Sequence, residues 1–140
     1  TIDARRVGRH RLCPVSIPDR DGGPAWRLDD GPRQPIPRLA YGQGTLLEPL
    51  VRELVEHRRL PTDPVVRNPI TEVLRRFALS GLGVGWLPEN LVADDLTTGR
   101  LVLAGDASWT VDLPIYAYRL AQRASPLLAD VWANLPDDPD

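Results

Sequence analysis

The chain has 140 residues, of which 42% are hydrophobic, and this is enough for one domain with its own core. Its formal net charge of -2 excludes a domain that grips nucleic acid or an anionic membrane by bulk charge. The single cysteine, Cys13, excludes an internal disulfide, and the lack of lysine excludes Schiff-base and P-loop lysines. There is no methionine either, so we expect Thr1 to follow a further segment of a longer protein.

The first third of the chain predicts two strands separated by a long loop. Residues 11–17 carry the apolar residues Leu12, Val15 and Ile17 and end at a proline, which is typical of a strand. Residues 18–37 are rich in glycine and proline, which predicts a surface loop whose middle is held to the core by Trp26 and Leu28. A second apolar run at residues 36–41 predicts the next strand.

A helix is predicted after the glycine turn at residues 42–44. Thr45 is placed to cap this helix, and Glu48 stands three residues later, as in a capping box. Apolar residues then recur at helical spacing through Arg59. The prolines of residues 61–64 indicate a connector to the next strand.

The second half of the chain predicts further strands that alternate with helices. We interpret residues 65–67 as a brief buried strand, and Asn68 and Pro69 as the N-cap and first residue of a helix that ends at Gly81. The remaining predicted elements are a strand at residues 84–87, a helix from Pro88 to about residue 95, strands at 101–103 and 113–119, a helix from Ser125, and a frayed tail at 136–140.

This alternation predicts an α/β layered domain with a largely parallel or mixed sheet. In such sheets, ligands bind outside the carboxyl ends of the strands, where loops lead into helices. That rule selects residues 41–45 and 66–71. The helix starts within them offer N–H groups and the positive end of a helix dipole, which suit a small anion. Helix capping without any ligand explains the same residues, so both interpretations stay open at this point.

Catalytic and metal-binding residues are not predicted. The two histidines, His10 in a basic run and His57 in the last turn of a helix, are better explained as solvated side chains. A nucleophile elbow and metal-binding spacings are absent, and residues 94–95 are interpreted as part of a solvated turn. The Gly-Leu-Gly-Val-Gly run at 81–85 follows a helix, so it predicts a tight turn and not a nucleotide loop. We expect no cofactor, and we expect Cys13 to act as a small buried hydrophobe.

An ordered series of motifs runs through the second half of the chain. Residues 79–92 read Leu-Ser-Gly-Leu-Gly-Val-Gly-Trp-Leu-Pro-Glu-Asn-Leu-Val, and residues 98–102 read Thr-Gly-Arg-Leu-Val. The series resembles the effector-binding domain of LysR-type transcriptional regulators. Residues 12–18 and 39–50 resemble that family's earlier strands and glycine turn, and residues 114–119 resemble its closing strand. The resemblance therefore covers most of the chain.

The resemblance implies a type II periplasmic-binding-protein-like fold, in which two crossing strands join two lobes that hold a small effector. It assigns residues 1–13 to the end of the proximal lobe and the first crossing strand, 14–116 to a complete distal effector-binding lobe, and 117–140 to the return to the proximal lobe. The hinge residues that it implies are Pro14, Val15, Ile115 and Tyr116. The ligand contacts that it implies are Gly42, Gln43, Gly44, Thr45, Arg67, Asn68 and Pro69.

The function implied by the resemblance is that of a cytoplasmic bacterial regulator. The domain would sense a small anionic or polar molecule and control DNA-binding domains through a winged helix-turn-helix outside these residues, as a homo-oligomer. A solute-binding protein of a transport system shares the fold and is the alternative. An enzyme of the same fold is disfavoured because the chain has no lysine and no convincing acid–base pair.

Overall fold

A computed structural model describes residues 2–120 and 125–136 of the chain. Its elements, in chain order, are β1 (Ile2–Ser16), β2 (Ile36–Ala40), α1 (Leu47–His57), β3 (Thr62–Arg67), α2 (Thr71–Leu79), β4 (Val84–Pro88), α3 (Glu89–Thr98), β5 (Val102–Leu103), a short 3-10 turn (Ala107–Trp109), β6 (Val111–Leu120) and α4 (Pro126–Ala133). In the described part of the chain, no helix is both long enough and apolar enough to cross a bilayer.

The contacts within the chain divide it into two units. The central unit comprises Arg11–Val111, and the terminal unit combines Thr1–His10 with Asp112–Asp140. β1 contributes its first part to the terminal unit and its last part to the central unit.

The central unit is built on a sheet with the strand order β3-β2-β4-β1-β5. β2 lies parallel to β3 and β4, whereas β1 runs antiparallel to β4 and β5. The sheet is mixed, so the predicted α/β class is confirmed. Because β2, β3 and β4 are parallel, their carboxyl ends meet at one edge of the sheet, where the chain leads on into α1, α2 and α3.

The core of the central unit is organised around Trp86 on β4. This side chain is buried, and its indole N–H donates to the carbonyl of Trp109 at 2.8 Å. The Tyr41 hydroxyl donates in turn to the carbonyl of Trp86 at 2.6 Å. A Cβ built on Gly83 would lie 2.5 Å from the carbonyl oxygen of Pro37, so only glycine allows this close approach to β2.

The end of α2 confirms the role predicted for Gly81. Its φ is 79°, in the left-handed region, and its N–H donates to the carbonyl of Ala78 at 3.0 Å. The N–H of Leu82 donates to the carbonyl of Phe77 at 3.2 Å, which completes a Schellman motif. The run at residues 81–85 is therefore the tight turn between α2 and β4 that the sequence predicts.

The terminal unit is held together by polar and aromatic contacts. β6 pairs with β1, and the Arg119 side chain donates to Asp3 at 3.0 Å. The Arg119 guanidinium also lies 4.5 Å from the ring centre of Trp132 on α4. The helix predicted from Ser125 is confirmed as α4, and the Ser125 side chain caps it by accepting from the N–H of Leu128 at 3.0 Å.

Two predicted strands differ from the structure. The sequence predicts the first strand at residues 11–17, but β1 begins at Ile2, because its charged first part is held by pairing with β6 and not by burial. Residues 65–67 were predicted to be buried, but β3 is an edge strand whose residues alternate in exposure, and Val65 is 47% exposed. The long loop before β2 is confirmed, with Leu28 buried and Trp26 half-buried.

The prediction of a solvated turn at residues 94–95 is wrong. Asp95 lies in α3 and is fully buried, where it accepts from Arg75 at 2.7 Å and from Arg100 at 3.1 Å. The hydrogen bond from Arg75 lowers the pKa of this carboxyl, and Arg100 adds to the effect. Asp95 is therefore an ionic link between α2 and α3. The predicted frayed tail lies outside the described residues except for Pro136.

Candidate functional site

The two helix starts selected from the sequence meet at one edge of the sheet. Ala40 at the end of β2 is paired with Arg67 at the end of β3, and the N–H of Asn68 donates to the carbonyl of Ala40 at 3.0 Å. A Cβ built on Gly42 would lie 3.4 Å from Cδ of Pro69, which is van der Waals contact. The structure thus brings the two segments together.

The glycine turn before α1 is closed by Thr45. Its N–H and its hydroxyl both donate to the carbonyl of Gly42, at 3.3 and 2.8 Å. Gly44 has a φ of 84°, which the turn requires, and Gln43 and Gly44 form its exposed tip. Because the hydroxyl hydrogen of Thr45 is used within the turn, an incoming ligand can meet only the oxygen of this hydroxyl or the neighbouring N–H groups.

The predicted capping box is only half present. The Thr45 hydroxyl accepts from the N–H of Glu48 at 3.4 Å, but the Glu48 carboxylate does not accept from the N–H of Thr45. It points into the core instead, where the Arg38 guanidinium donates to it at 2.6 and 3.2 Å. The first helical residue is Leu47, whose N–H has no acceptor within its own helix. This leaves the positive end of the α1 dipole without the carboxylate that the sequence predicts there.

Helix α2 begins two residues later than predicted. Asn68 is not its N-cap, because its side-chain oxygen accepts from the N–H of Ile70 at 2.9 Å and closes a turn before the helix. Ile70, with extended backbone angles, precedes the first helical residue, Thr71. Pro69 therefore lies in this turn and not in the first turn of the helix.

Arg67 is the predicted site residue that carries a charge. It is exposed at the end of β3, and among residues 2–120 and 125–136 no hydrogen bond or ion pair to its guanidinium is present. Together with the N-termini of α1 and α2, this side chain gives the edge a positive character. Two apolar side chains stand at the same helix starts, since Leu46 is 87% and Ile70 is 57% exposed. This combination suits an anion that also carries an apolar part.

The predicted hinge residues lie on either side of the division between the two units. Pro14 and Val15 are inside the central sheet, paired with Trp86 and Gly85 of β4. Ile115 and Tyr116 lie in β6, within the terminal unit, and are partly exposed. The two units divide a few residues before each of these pairs, and the hinge role stays a prediction.

The titratable residues that the sequence singles out are not arranged for catalysis. His10 and His57 are exposed. Cys13 is buried, and this burial raises the pKa of its thiol to about 11, with the negative charge of Glu89 adding to the effect. Its thiol donates weakly to the carbonyl of Leu87 at 3.6 Å. Among the described residues, no group of three or more metal-binding side chains is present.

Sequence reasoning missed the buried contacts that support this edge from within. Arg38 and Glu48 are buried together behind the glycine turn, and Tyr41 is anchored by its hydroxyl to β4. The sequence does contain one indication of the ion pair. Arg38 interrupts the otherwise apolar residues of β2, and Glu48 follows ten residues later. A buried charge of this kind needs a partner of opposite sign.

Comparisons with known proteins agree on one family. The family model described as LysR substrate binding domain matches residues 1–138. The transcriptional regulator YjiE of Escherichia coli K12 is 29% identical over 136 residues, which is 96% of this chain and 44% of that protein. The chain spans about half the length of the curated relatives that it matches.

Solved structures of related domains superimpose on most of the chain. The apo regulatory domain of HypT from Salmonella typhimurium is 27% identical, with a TM-score of 0.83 over 96% of this chain and 63% of that one. Full-length LysG from Corynebacterium glutamicum with its bound effector Arg is 25% identical, with a TM-score of 0.70 over 94% of this chain and 44% of that one.

Proposed function

The chain belongs to the LysR substrate-binding domain family, and we propose that it is the effector-sensing part of a LysR-type transcriptional regulator. In this proposal, a small molecule binds the domain and controls DNA-binding domains that are attached to it in the whole protein. The match over residues 1–138 and the regulators among its relatives support this assignment. The fold is that of LysR regulatory domains, which is the type II periplasmic-binding-like fold.

The proposed effector site is the edge where β2 and β3 lead into α1 and α2. It consists of Gly42, Gln43, Gly44, Thr45, Arg67, Asn68 and Pro69. The observation that carries the proposal is the pairing of Ala40 with Arg67, because it places two helix N-termini side by side next to an exposed guanidinium. We expect this edge to take a carboxylate or another polar anion through backbone N–H groups and Arg67.

The exposed apolar side chains at the edge suggest what else the effector carries. Leu46 and Ile70 flank the helix starts, so an aliphatic or aromatic body beside the anionic group would cover them. The arginine bound by the LysG relative is a molecule of this general kind, with a carboxylate and an aliphatic chain.

The regulatory step is proposed to be a shift between conformations. An effector that binds one arrangement more tightly than another changes their populations by its difference in affinity. Residues 1–13 and 117–140 would belong to one lobe and 14–116 to the other, with Pro14, Val15, Ile115 and Tyr116 as the hinge. A homo-oligomer in the cytoplasm, with DNA bound through a winged helix-turn-helix outside these residues, completes the proposal.

Two other functions are weaker. A solute-binding protein for transport shares the fold, but the curated relatives are transcriptional regulators. An enzyme is disfavoured because the family and its relatives are regulators, and because both histidines of this chain are exposed.

A binding screen tests the proposed site. The 20 common amino acids and a set of small mono- and dicarboxylates would be screened by thermal shift against the chain, and hits measured by calorimetry. We expect Arg67→Ala to weaken binding of a carboxylate hit about tenfold, because a charge-assisted hydrogen bond is lost. Thr45→Val should weaken it as well, because the turn loses its hydroxyl bond to Gly42.

Arg52→Ala is the matched control, since this arginine is also exposed but lies within α1. It should leave the affinity unchanged. Equal affinities for the Arg67 variant and the unmodified chain, or a screen in which no carboxylate binds, would reject the site.

A further inference from the structure

A second concave site lies in the central unit, at the amino ends of β2 and β3. This amino-edge groove has a volume of about 360 Å³ and is formed by residues 28–32, which precede β2, residues 58–61, which precede β3, and Trp109. The proposed effector residues follow the same two parallel strands, so they lie at the opposite edge of the sheet. β2 has five residues, which separates the two edges by about 16 Å at about 3.3 Å per residue.

The amino-edge groove is held in shape by contacts between the segments that form it. The N–H of Ile36 donates to the carbonyl of Pro61 at 2.9 Å and joins the starts of β2 and β3. The indole N–H of Trp109 donates to the Asp29 carboxylate at 2.7 Å. The floor of the groove is apolar and buried, and it consists of Leu28, Leu60 and Trp109. The groove is therefore formed before any ligand binds.

One of the charged residues that line the groove already has its partners. The Arg58 guanidinium lies 3.7 Å from the ring centre of Trp109 and donates to the Ser108 hydroxyl at 2.6 Å. This hydroxyl donates in turn to the Asp106 carboxylate. Hydrogen bonds from Ser108 lower the pKa of Asp106, and the positive charge of Arg58 adds to this effect. The charge of Arg58 is therefore balanced by Asp106.

Two other charged residues that line the groove have no counterion. Asp29 accepts the indole hydrogen bond, but it makes no ion pair within residues 2–120 and 125–136. In the same residues, the Arg59 side chain makes neither a hydrogen bond nor an ion pair. Both residues are exposed and line the groove, and no ion pair joins them to each other. A ligand that carries both charges would satisfy the two residues at once.

The backbone at Arg59 also indicates a role for its side chain. Its φ of 55° lies in the left-handed region, where a helix end favours glycine. Residues other than glycine that are held in this conformation cluster at functional sites and ligand clamps. The turn after α1 therefore carries a guanidinium at the groove at a steric cost, although this guanidinium contacts no described side chain.

We propose that the amino-edge groove binds a small zwitterion such as a free amino acid, with its carboxylate at Arg59 and its ammonium group at Asp29. The volume is within the range of about 300–1,000 Å³ that is usual for small-molecule sites. A ligand with a single charge would be attracted by one of the two residues and repelled by the other. The groove shares no residue with the proposed effector site, so the two sites can be tested independently.

The test compares three ligands of similar shape and different charge on the intact 140-residue chain. Leucine, leucinamide and N-acetyl-leucine would be titrated below pH 7, where free α-amino groups are protonated, and followed by NMR chemical shifts. The reporter is the indole N–H of Trp109, because it donates to Asp29. We expect leucine to bind about three- to fivefold more tightly than either analogue, since each analogue lacks one charge.

Three results of this titration would overturn the proposal. They are equal affinities for the three ligands, an indole signal of Trp109 that leucine does not shift, and leucine shifts confined to Gly42 and Arg67. The last result would place leucine at the proposed effector site alone.

Two variants and two controls assign each charge to its residue. Arg59→Gly removes the guanidinium and the steric cost of the left-handed backbone, and it should abolish the preference for leucine over leucinamide. Asp29→Asn keeps an oxygen that can accept from the indole, and it should abolish the preference over N-acetyl-leucine. Arg52→Gln within α1 and Asp30→Asn, next to Asp29 but outside the groove, should change neither preference. Melting temperatures would show that the variants are folded. Preferences that survive Arg59→Gly and Asp29→Asn would also overturn the proposal.

Discussion

Among the described residues, one residue other than glycine adopts a left-handed backbone conformation. This residue is Arg59, with a φ of 55°. It follows α1, where its N–H donates to the carbonyl of Glu56 at 3.1 Å. The N–H of Leu60 donates to the carbonyl of Val55 at 2.9 Å, which completes a Schellman motif. Gly81 occupies the same position after α2, so one helix end uses the favoured residue and the other does not.

Replacing this arginine by glycine should stabilise the protein. Arg59→Gly removes the steric cost of a side chain in the left-handed region and should raise the free energy of unfolding by about 1 kcal/mol. Urea denaturation measures the change. Arg52→Gly, in the interior of the same helix, is the control and should lower it by about 1 kcal/mol. A lower free energy of unfolding for Arg59→Gly would contradict this. It would mean that the Arg59 side chain stabilises the protein by more than its left-handed backbone conformation costs.

Cys13 shows how burial changes the chemistry of a single residue. Burial raises the pKa of its thiol from 9.0 to about 11. Burial also raises the pKa of the Tyr41 hydroxyl, which donates to the carbonyl of Trp86. Both groups hold their protons more tightly in the folded chain than in the unfolded one.

The raised pKa of the Cys13 thiol predicts that the protein loses stability in alkali. Its contribution is fully present below pH 9 and is lost as the pH rises towards 11, which amounts to roughly 2–3 kcal/mol at 1.36 kcal/mol per pH unit. Urea denaturation between pH 8 and pH 11 measures the slope, which should be shallower for Cys13→Ala. Equal slopes for the two proteins would contradict the raised pKa.

At the scale of elements, β2 and α1 are joined by a buried ion pair. Arg38 and Glu48 have side chains that are 5% and 2% exposed, and Arg38 also donates to the Thr62 hydroxyl on β3 at 3.4 Å. Removing two charges from water is costly, so the pair contributes mainly by fixing how α1 leaves the sheet. That geometry places the glycine turn beside Pro69.

Replacing one residue of this pair should lower the free energy of unfolding more than replacing both. Glu48→Leu leaves the Arg38 charge buried without a partner and should lower the free energy of unfolding by about 3–5 kcal/mol. The double variant Arg38→Met, Glu48→Leu should recover most of this loss. Chemical denaturation of the three proteins measures both effects, with Glu53→Leu on the exposed face of α1 as the control. A double variant as unstable as the single one would show that the pair itself is strongly stabilising.

At the scale of the whole molecule, the buried apolar core is confined to one unit. Among the described residues, every buried hydrophobic side chain lies between Leu12 and Trp109, within the central unit. In the terminal unit, several large apolar side chains are exposed instead, namely Ile2, Ile115, Tyr116, Tyr118, Leu120, Leu127 and Val131. Exposed apolar surface of this kind is common where another chain or segment packs.

Hydrogen exchange should therefore divide the chain in two. Amide protons of β4 and of the last part of β1 should exchange only through global unfolding, because they lie in the packed sheet. Those of β6 and α4 should exchange at least tenfold faster, because few apolar contacts hold them. Mass spectrometry of peptic peptides measures both. Equal protection of β4 and β6 would contradict this division.

The sequence by itself determined most of the elements and the α/β class. Local signals were enough for this, such as the glycine after α2, the serine cap of α4 and the apolar spacing in α1. The family was also recognisable, because its motifs at residues 79–92 are contiguous in the chain. The candidate effector residues were selected by the same local rule for helix starts, and their role stays a prediction.

Only the tertiary structure decided which side chains meet. It turned Glu48 inward to Arg38, buried Asp95 between Arg75 and Arg100, and began α2 after Asn68 and not at it. The two buried ion pairs join residues that are far apart in the sequence, since Arg38 and Glu48 are 10 residues apart and Arg75 and Asp95 are 20 residues apart. Sequence patterns report periodicity and turn chemistry over a few residues. Whether a charged side chain is buried depends instead on the oppositely charged group that the fold brings beside it.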